Sequence, residues 1–363
     1  MKPFLFISRL FVLNFLVVPV ATAATFTEFD APGAGTGSGQ GTLAYQINSS
    51  SEVVGYYIDS QYNDHGFVRA RDGTFTTFDV KGTSTWPAEI NDHGMIGGAY
   101  DVLLKQRDIF NGFLRTARGK IEVVDPPRNR WGASIDGINL GGTSAGSYAD
   151  ANGVHGFVRS EDSRLTEFDA PGATDTDARA INDGGTIVGS YWDGDQHGVV
   201  EHGFLRAADG TFTEFDAPDA SGGTTATAIN REGWVVGQYD DANTDSHGYL
   251  RHPEGTFTKY DAPDAGKAAY QGTLGGEITS HANIAGGYID SNNVEHGYIR
   301  LRNGSLTEFD APDAAYGTVP GGINDGDVVS GYYQDAGGVY HGFLRTPQTA
   351  VRMAVRKPGA TDE

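Results

Sequence analysis

The sequence predicts an all-β fold, a seven-bladed β-propeller with four-stranded blades. Three observations predict it. A short phrase recurs seven times, at intervals of 49, 46, 44, 47, 45 and 49 residues. Each copy holds four short runs rich in Phe, Tyr, Val, Ile and Thr, bounded by Gly, Asn and Asp. Those runs carry apolar residues on both parities, such as Ile187 beside Val188 and Phe212 with Phe215. A strand patterned that way needs cover on both faces. Repeated small sheets that cover one another meet that need.

Four marks define the repeat. The first is an aromatic–Asp pair: Phe29-Asp30, Phe78-Asp79, Phe168-Asp169, Phe215-Asp216, Tyr260-Asp261 and Phe309-Asp310, with Val124-Asp125 as the variant. The second is Ile-Asn, beginning at Ile47, Ile90, Ile138, Ile181, Ile229 and Ile323, with Ile278-Thr279 as its variant. The third is Gly-x-Tyr, as in Gly146/Tyr148. The fourth resembles His-Gly-Phe-Leu-Arg and ends on Arg69, Arg115, Arg159, Arg206, Arg251, Arg300 and Arg345.

Link lengths set the frame. The Ile-Asn run is strand a, Gly-x-Tyr strand b, His-Gly-Phe-Leu-Arg strand c, and the aromatic–Asp run strand d. Asp72-Gly73, Asp209-Gly210 and Asn303-Gly304 join c to d and favour a two-residue type I′ turn. That turn sets Phe204 opposite Phe215 and Phe67 opposite Phe78. The chain carries a lone d segment at Thr25 to Asp30, and its last copy stops at strand c, His341 to Arg345. The expectation is that Thr25 to Asp30 closes the last blade, giving a propeller over 25–345 and a tail over 346–363.

Composition narrows the function. The chain has 363 residues, no cysteine and a formal charge of −21. Zero cysteine excludes disulfides, thiolate catalysis and Cys-ligated zinc. The acidity argues against nucleic acid, whose phosphates call for Lys and Arg. Residues 1–24 read as a secretory signal peptide: Lys2 and Arg9, an apolar run from Leu10 to Val20, then Ala21-Thr22-Ala23. The run is shorter than the ~20 residues of a membrane span.

The phrases Asp-Gly-Thr-Phe-Thr-Glu-Phe-Asp-Ala-Pro, Ala-Ile-Asn, Ile-Val-Gly-Ser-Tyr and His-Gly-Phe-Leu-Arg resemble the bacterial extracellular repeats called the HAF family. The resemblance covers nearly all of residues 25 to 345, with His-Gly-Phe standing where the family name has His-Ala-Phe. It implies a secreted bacterial protein and brings no catalytic residue.

Repetition also guides the chemistry. His65, His155, His202, His247, His296 and His341 fill one slot, and Asn111 fills the seventh. The expectation is an Asp–His contact inside each unit, with the seven arginines bonding backbone carbonyls. Asp193, Asp195, Asp241, Asn243 and Asp245 alternate oxygen side chains in b–c connections. That pattern wraps a hard cation such as Ca²⁺, or makes Asx-turns. The pattern breaks in 101 to 132, where Lys105, Arg107, Arg128, Arg130 and Trp131 gather in a b–c and a d–a loop. These five are the candidate ligand-binding residues, on the face that carries the longer loops. The functional expectation is a secreted, monomeric binding module for a glycan, small molecule or protein. The alternative is an extracellular polysaccharide lyase or hydrolase.

Overall fold

The computed structural model describes residues 24–347, apart from positions 83, 105, 106, 196 and 197. The expected signal segment up to 23, the tail from 348, and Lys105 therefore lie outside the described residues, as do the side chains of Arg107 and Asp195. Every element among the described residues is a β-strand, and no helix there is long and apolar enough to cross a membrane.

The strands follow the a–b–c–d frame. Three sheets have four strands each, and the other two have eight. In each eight-stranded sheet a single parallel bridge, Gly41 to Tyr340 or Gly272 to Ser246, joins two antiparallel groups of four. Among the described residues no sheet closes on itself. Thr25–Phe29 pairs antiparallel with Tyr340–Thr346, Thr25 opposite Thr346 and Phe29 opposite Gly342. That strand runs one residue past the boundary expected at 345.

Units pack side by side, and the core lies between them. Val54 of the first unit packs with Ile90, Ile96 and Phe113 of the second. Val188 of the fourth joins Ala226, Val235 and Tyr249 of the fifth. Leu344, from the last copy, packs with Ala44, Ile47 and Val53 from the first. Apolar residues on both parities are thereby buried from both sides, as the sequence pattern requires.

The c–d register differs from expectation by one residue. Gly203 pairs with Phe215, and Phe204 with Glu214; Gly66 pairs with Phe78. Ala207 N–H bonds the Thr211 carbonyl while Gly210 N–H bonds that of Ala207, and of Asp209 and Gly210 only Gly210 has positive φ. This is a type I turn followed by a left-handed glycine, one residue longer than the two-residue I′ turn. The aromatic ring of strand d consequently lies over the glycine of His-Gly-Phe. A Cβ on Gly203 would sit 2.5 Å from Phe215 Cε2, which explains why glycine fills the slot.

The arginines also act differently from expectation. Arg69, Arg115, Arg206, Arg251, Arg300 and Arg345 each place the guanidinium over the strand-d ring of the preceding unit, Arg69 at 4.6 Å from the Phe29 centroid. Their carbonyl contacts are long, 3.5 Å for Arg69 to Ala70. Where the preceding unit has Val124 and no ring, Arg159 instead bonds Glu122 and Ser163. Cation–π attraction over an aromatic face thus joins consecutive units.

Candidate binding groove and axial cavity

Each a strand carries a β-bulge near its Ile-Asn end. The register shifts between Pro87 and Glu89, Ile135 and Gly137, Ala178 and Ala180, Ala226 and Ala228, and Pro320 and Gly322, with matching shifts in the two remaining a strands. A bulge adds one residue and re-aims its side chain. The bulged backbone presses on strand b: a Cβ on Gly146 would lie 2.0 Å from the Ser134 carbonyl oxygen. The Gly of Gly-x-Tyr is the counterpart of the bulge.

Inserted residues from five of these bulges come together. Ala88, Asp136, Arg179, Thr227 and Gly321 line one cavity of about 550 Å³, together with Tyr45, Glu89, Asp177 and Glu277. Its charge is predominantly acidic, with Arg179 on Asp177 at 3.1 Å. Ser134 donates to Asp136 Oδ2 at 2.7 Å, and Ser147 donates to Asp177 Oδ1 at 2.9 Å. Burial pushes the Asp136 carboxyl up to about 7, and the Asp177 charge adds to the rise. Burial pushes Glu277 up to about 8 and holds Glu89 well above its usual range, Glu277 adding to the effect on Glu89. Desolvation disfavours the carboxylate, so these acids hold their protons near neutral pH.

A second, apolar hollow of about 430 Å³ opens between the second and third units. Trp86, Phe110, Ala133, Tyr148 and Val154 line it, with Ser134 and Ser147. Ser134 lines both hollows. Trp86 meets Phe110 edge to face at 5.3 Å, and its indole N–H donates to Asp64 Oδ2 at 2.9 Å. Beyond Asp64, half-buried rings continue: Tyr45 stacks on Tyr56 at 5.8 Å and leans on Tyr332, which meets Tyr340.

Of the five residues singled out from sequence, Arg128, Arg130 and Trp131 lie in the loop that leads to Gly132 in the hollow's wall and do not line it, while Lys105 and the Arg107 side chain lie outside the described residues. Arg128 is paired with Glu167 at 2.7 Å. Arg130 is exposed, and Trp131 is 48% exposed. The d–a loop is held by Asn129, whose amide donates to the Phe110 carbonyl and to Asn111 Oδ1. The axial residues were not singled out, although a signal existed. Two places before the Ile of Ile-Asn, the copies read Tyr45, Ala88, Asp136, Arg179, Thr227, Gly276 and Gly321. That is wide variation inside an otherwise constant phrase.

The repeated histidines are tied into each unit. His155 Nδ1 lies 2.8 Å from Asp169 and Nε2 3.1 Å from Asp150, with the ring against Tyr148. His65, His202, His247, His296 and His341 repeat the strand-d contact at 2.8–3.0 Å. In the b–c connections Asp241 Oδ1 accepts the backbone N–H groups of Asn243 and Asp245, an Asx-turn. Asp193 lies in strand b opposite Val200 and comes within 3.6 Å of His202 Nε2. Among the described residues no group of three or more His, Cys, Asp or Glu is placed to hold a metal ion.

No family model and no curated protein matches this chain. Solved structures do. A streptogramin B lyase is similar over 89% of this chain and 98% of its own, with TM-score 0.56 and 13% identity. A catalytically inactive virginiamycin B lyase from Staphylococcus aureus with Quinupristin gives 0.57 and 12%, over 89% of this chain and 99% of its own. The acylaminoacyl peptidase of Pyrococcus horikoshii gives 0.55 and 11%, over 85% of this chain and 53% of its own. The fold is β-propeller-like. Identities this low speak to fold and leave activity open.

Proposed function

We propose that this chain is a secreted, monomeric, seven-bladed β-propeller of the HAF-repeat kind, closed by its N-terminal strand, that binds an extracellular glycan. In this reading residues 1–24 are removed on export and the residues after the last strand form a tail. Pairing of Thr25–Phe29 with Tyr340–Thr346, and packing of Leu344 against the first unit, support the closure. The observation that carries the binding reading is the apolar hollow walled by Trp86 and Phe110, which shares Ser134 with a polar axial cavity. Aromatic faces cover the apolar faces of sugar rings, and nearby serines and carboxyls serve hydroxyl groups. Arg130 and Trp131 form the outer rim. The test is a glycan screen on the protein from Thr25 onward: saturable binding that weakens in Phe110→Ala supports the reading, and no glycan binding refutes it.

A second reading is an extracellular polysaccharide lyase or hydrolase. Asp136, which accepts from Ser134 in the wall shared by the hollow and the cavity, favours it, because a carboxyl pushed up to about 7 suits general acid catalysis. Release of new reducing or unsaturated ends from polysaccharides, abolished in Asp136→Asn, is its measurement.

A further inference from the structure

The apolar hollow and the axial cavity together specify more than a sugar. The inner wall of the hollow is Ser134 and Ser147, and each hydroxyl donates to an axial carboxyl, Asp136 or Asp177. The titratable groups facing this point from the surrounding a strands are Tyr45, Glu89, Asp136, Asp177, Arg179 and Glu277. Arg179 is the single cation among them and is spent on Asp177. At the outer edge Arg128 is held by Glu167, and Asp64 sits on Trp86. A ligand that fills the hollow therefore meets apolar surface along its body and, at its inner end, two serine hydroxyls backed by unbalanced acid.

We propose, resting on the glycan-binding reading, that the hollow takes an amine-bearing saccharide, its ring against Trp86 and Phe110 and its ammonium turned toward Asp136, Asp177 and Glu89. The complementarity is one of charge as well as shape. A neutral glycan would leave the acids buried and uncompensated whenever they ionise, whereas an ammonium supplies the missing countercharge. The bound cation favours the carboxylate over the carboxyl, so binding releases protons. Burial pushes Asp136 up to about 7 and Glu277 up to about 8, so acids that are protonated at mildly acidic pH have protons to give up.

The test uses three β-1,4-linked tetramers of equal length: glucosamine, N-acetylglucosamine and glucose. Titration calorimetry in two buffers of different ionisation enthalpy measures affinity and proton release at mildly acidic pH. The glucosamine tetramer is expected to bind about tenfold or more tightly than the other two, one well-placed charge contact being worth about that factor. It should release protons, and its advantage should shrink as salt rises. The double variant Asp136→Asn, Glu89→Gln should lose that advantage while its binding of the N-acetylglucosamine tetramer and its melting temperature report an intact hollow. Equal affinities for all three, each weakened by Phe110→Ala, would leave the glycan reading standing and overturn this one. Binding by none of the three overturns this one, and a glycan screen that also finds no ligand overturns both.

Discussion

Asn324 donates its side-chain amide to the backbone carbonyl of Asn48, 3.1 Å away and 276 residues earlier in the chain. The same bond runs from Asn48 to Asn91, Asn91 to Asn139, Asn139 to Asn182, Asn182 to Asn230, and Asn230 to Thr279. The chain of bonds passes from copy to copy and comes back to the first. Each asparagine also accepts backbone N–H groups of its own a–b turn, as Asn324 does from Gly326 and Val328. The Asn of Ile-Asn is thus a turn residue and a link between units at once.

The ring lacks one amide, because the sixth unit has Thr279. Its hydroxyl accepts Asn283 N–H, and contact with the seventh unit passes through Ser280 and Asn283 to Asp325 and Asp327. Asn324→Ala should destabilise by about 1–3 kcal/mol, since it takes the acceptor from the Gly326 and Val328 amides and leaves the Asn48 carbonyl with the Ser51 N–H as its remaining donor. Thr279→Asn should add about 0.5–1.5 kcal/mol by supplying the missing donor. Chemical denaturation of both variants measures the two effects. A Thr279→Asn protein less stable than the parent would contradict this account of the ring.

Glycine in strand c should be sensitive to the ring above it. Gly203→Ala places a methyl 2.5 Å from Phe215, and overpacking of that kind costs about 1–3 kcal/mol. Gly112 faces Val124, and the closest contacts of an added Cβ lie at 3.2 and 3.4 Å. Gly112→Ala should therefore be the milder change of the two. A larger loss of melting temperature for Gly112→Ala than for Gly203→Ala would show that ring placement is not what selects glycine.

Stability should fall as pH rises from about 5 to about 8. Burial disfavours the charged form of His155, but Asp169 and Asp150 outweigh it and hold the ring above its ordinary value; Asp79 and Asp59 do the same for His65. A raised histidine contributes fully below its unfolded value of about 6.5 and loses that contribution as pH climbs through the folded one. The axial acids act in the same direction. Their protonated forms are favoured in the fold, so stability declines as pH rises from the ordinary carboxylate range toward about 7 for Asp136 and about 8 for Glu277. Asp59, held at about 2 mainly by the Asn63 backbone N–H, is ionised throughout that window and adds no slope. Thermal melts should show the decline, and Asp136→Asn with Glu277→Gln should flatten it. An unchanged slope in that variant would exclude the axial acids as its source.

The repeat marks made the fold legible because each does a structural task. Ile-Asn builds the linking turn, Gly-x-Tyr receives the bulge, and the glycine of His-Gly-Phe admits a ring. The c–d register was misread because Asp209-Gly210 suits two turn lengths, and only backbone geometry tells them apart. The site was partly legible. Drift in residues 101 to 132 pointed to the edge of the apolar hollow, where Phe110 and Gly132 form part of the wall. Asp136 and Glu89 were missed because the bulges that bring them to the axis leave no turn residue or motif in the sequence. Variation within strand a was their trace, and it becomes meaningful once the a strands are known to converge.

The Asp-rich connections should not depend on calcium. Asp241 and Asp290 spend Oδ1 on two backbone N–H groups each, Asn243 and Asp245 in the first and Asn292 and Val294 in the second. Melting temperatures with excess Ca²⁺ and with chelator should agree. A calcium-dependent rise, lost in Asp241→Asn, would make these loops metal sites.

The most direct measurement of the central claim is glycan affinity for the parent and for Phe110→Ala, with Arg130→Ala, Trp131→Ala as the rim variant. Phe110 is 36% exposed, so its removal should leave the melting temperature nearly unchanged. The account predicts that Phe110→Ala weakens binding about tenfold or more, the scale on which buried aromatic contacts act at binding sites, and that the rim variant weakens it less. Undiminished affinity in both, with loss on altering the a–b turn residues Ser49 and Asp92, would place the site at the opposite end of the units and contradict the account.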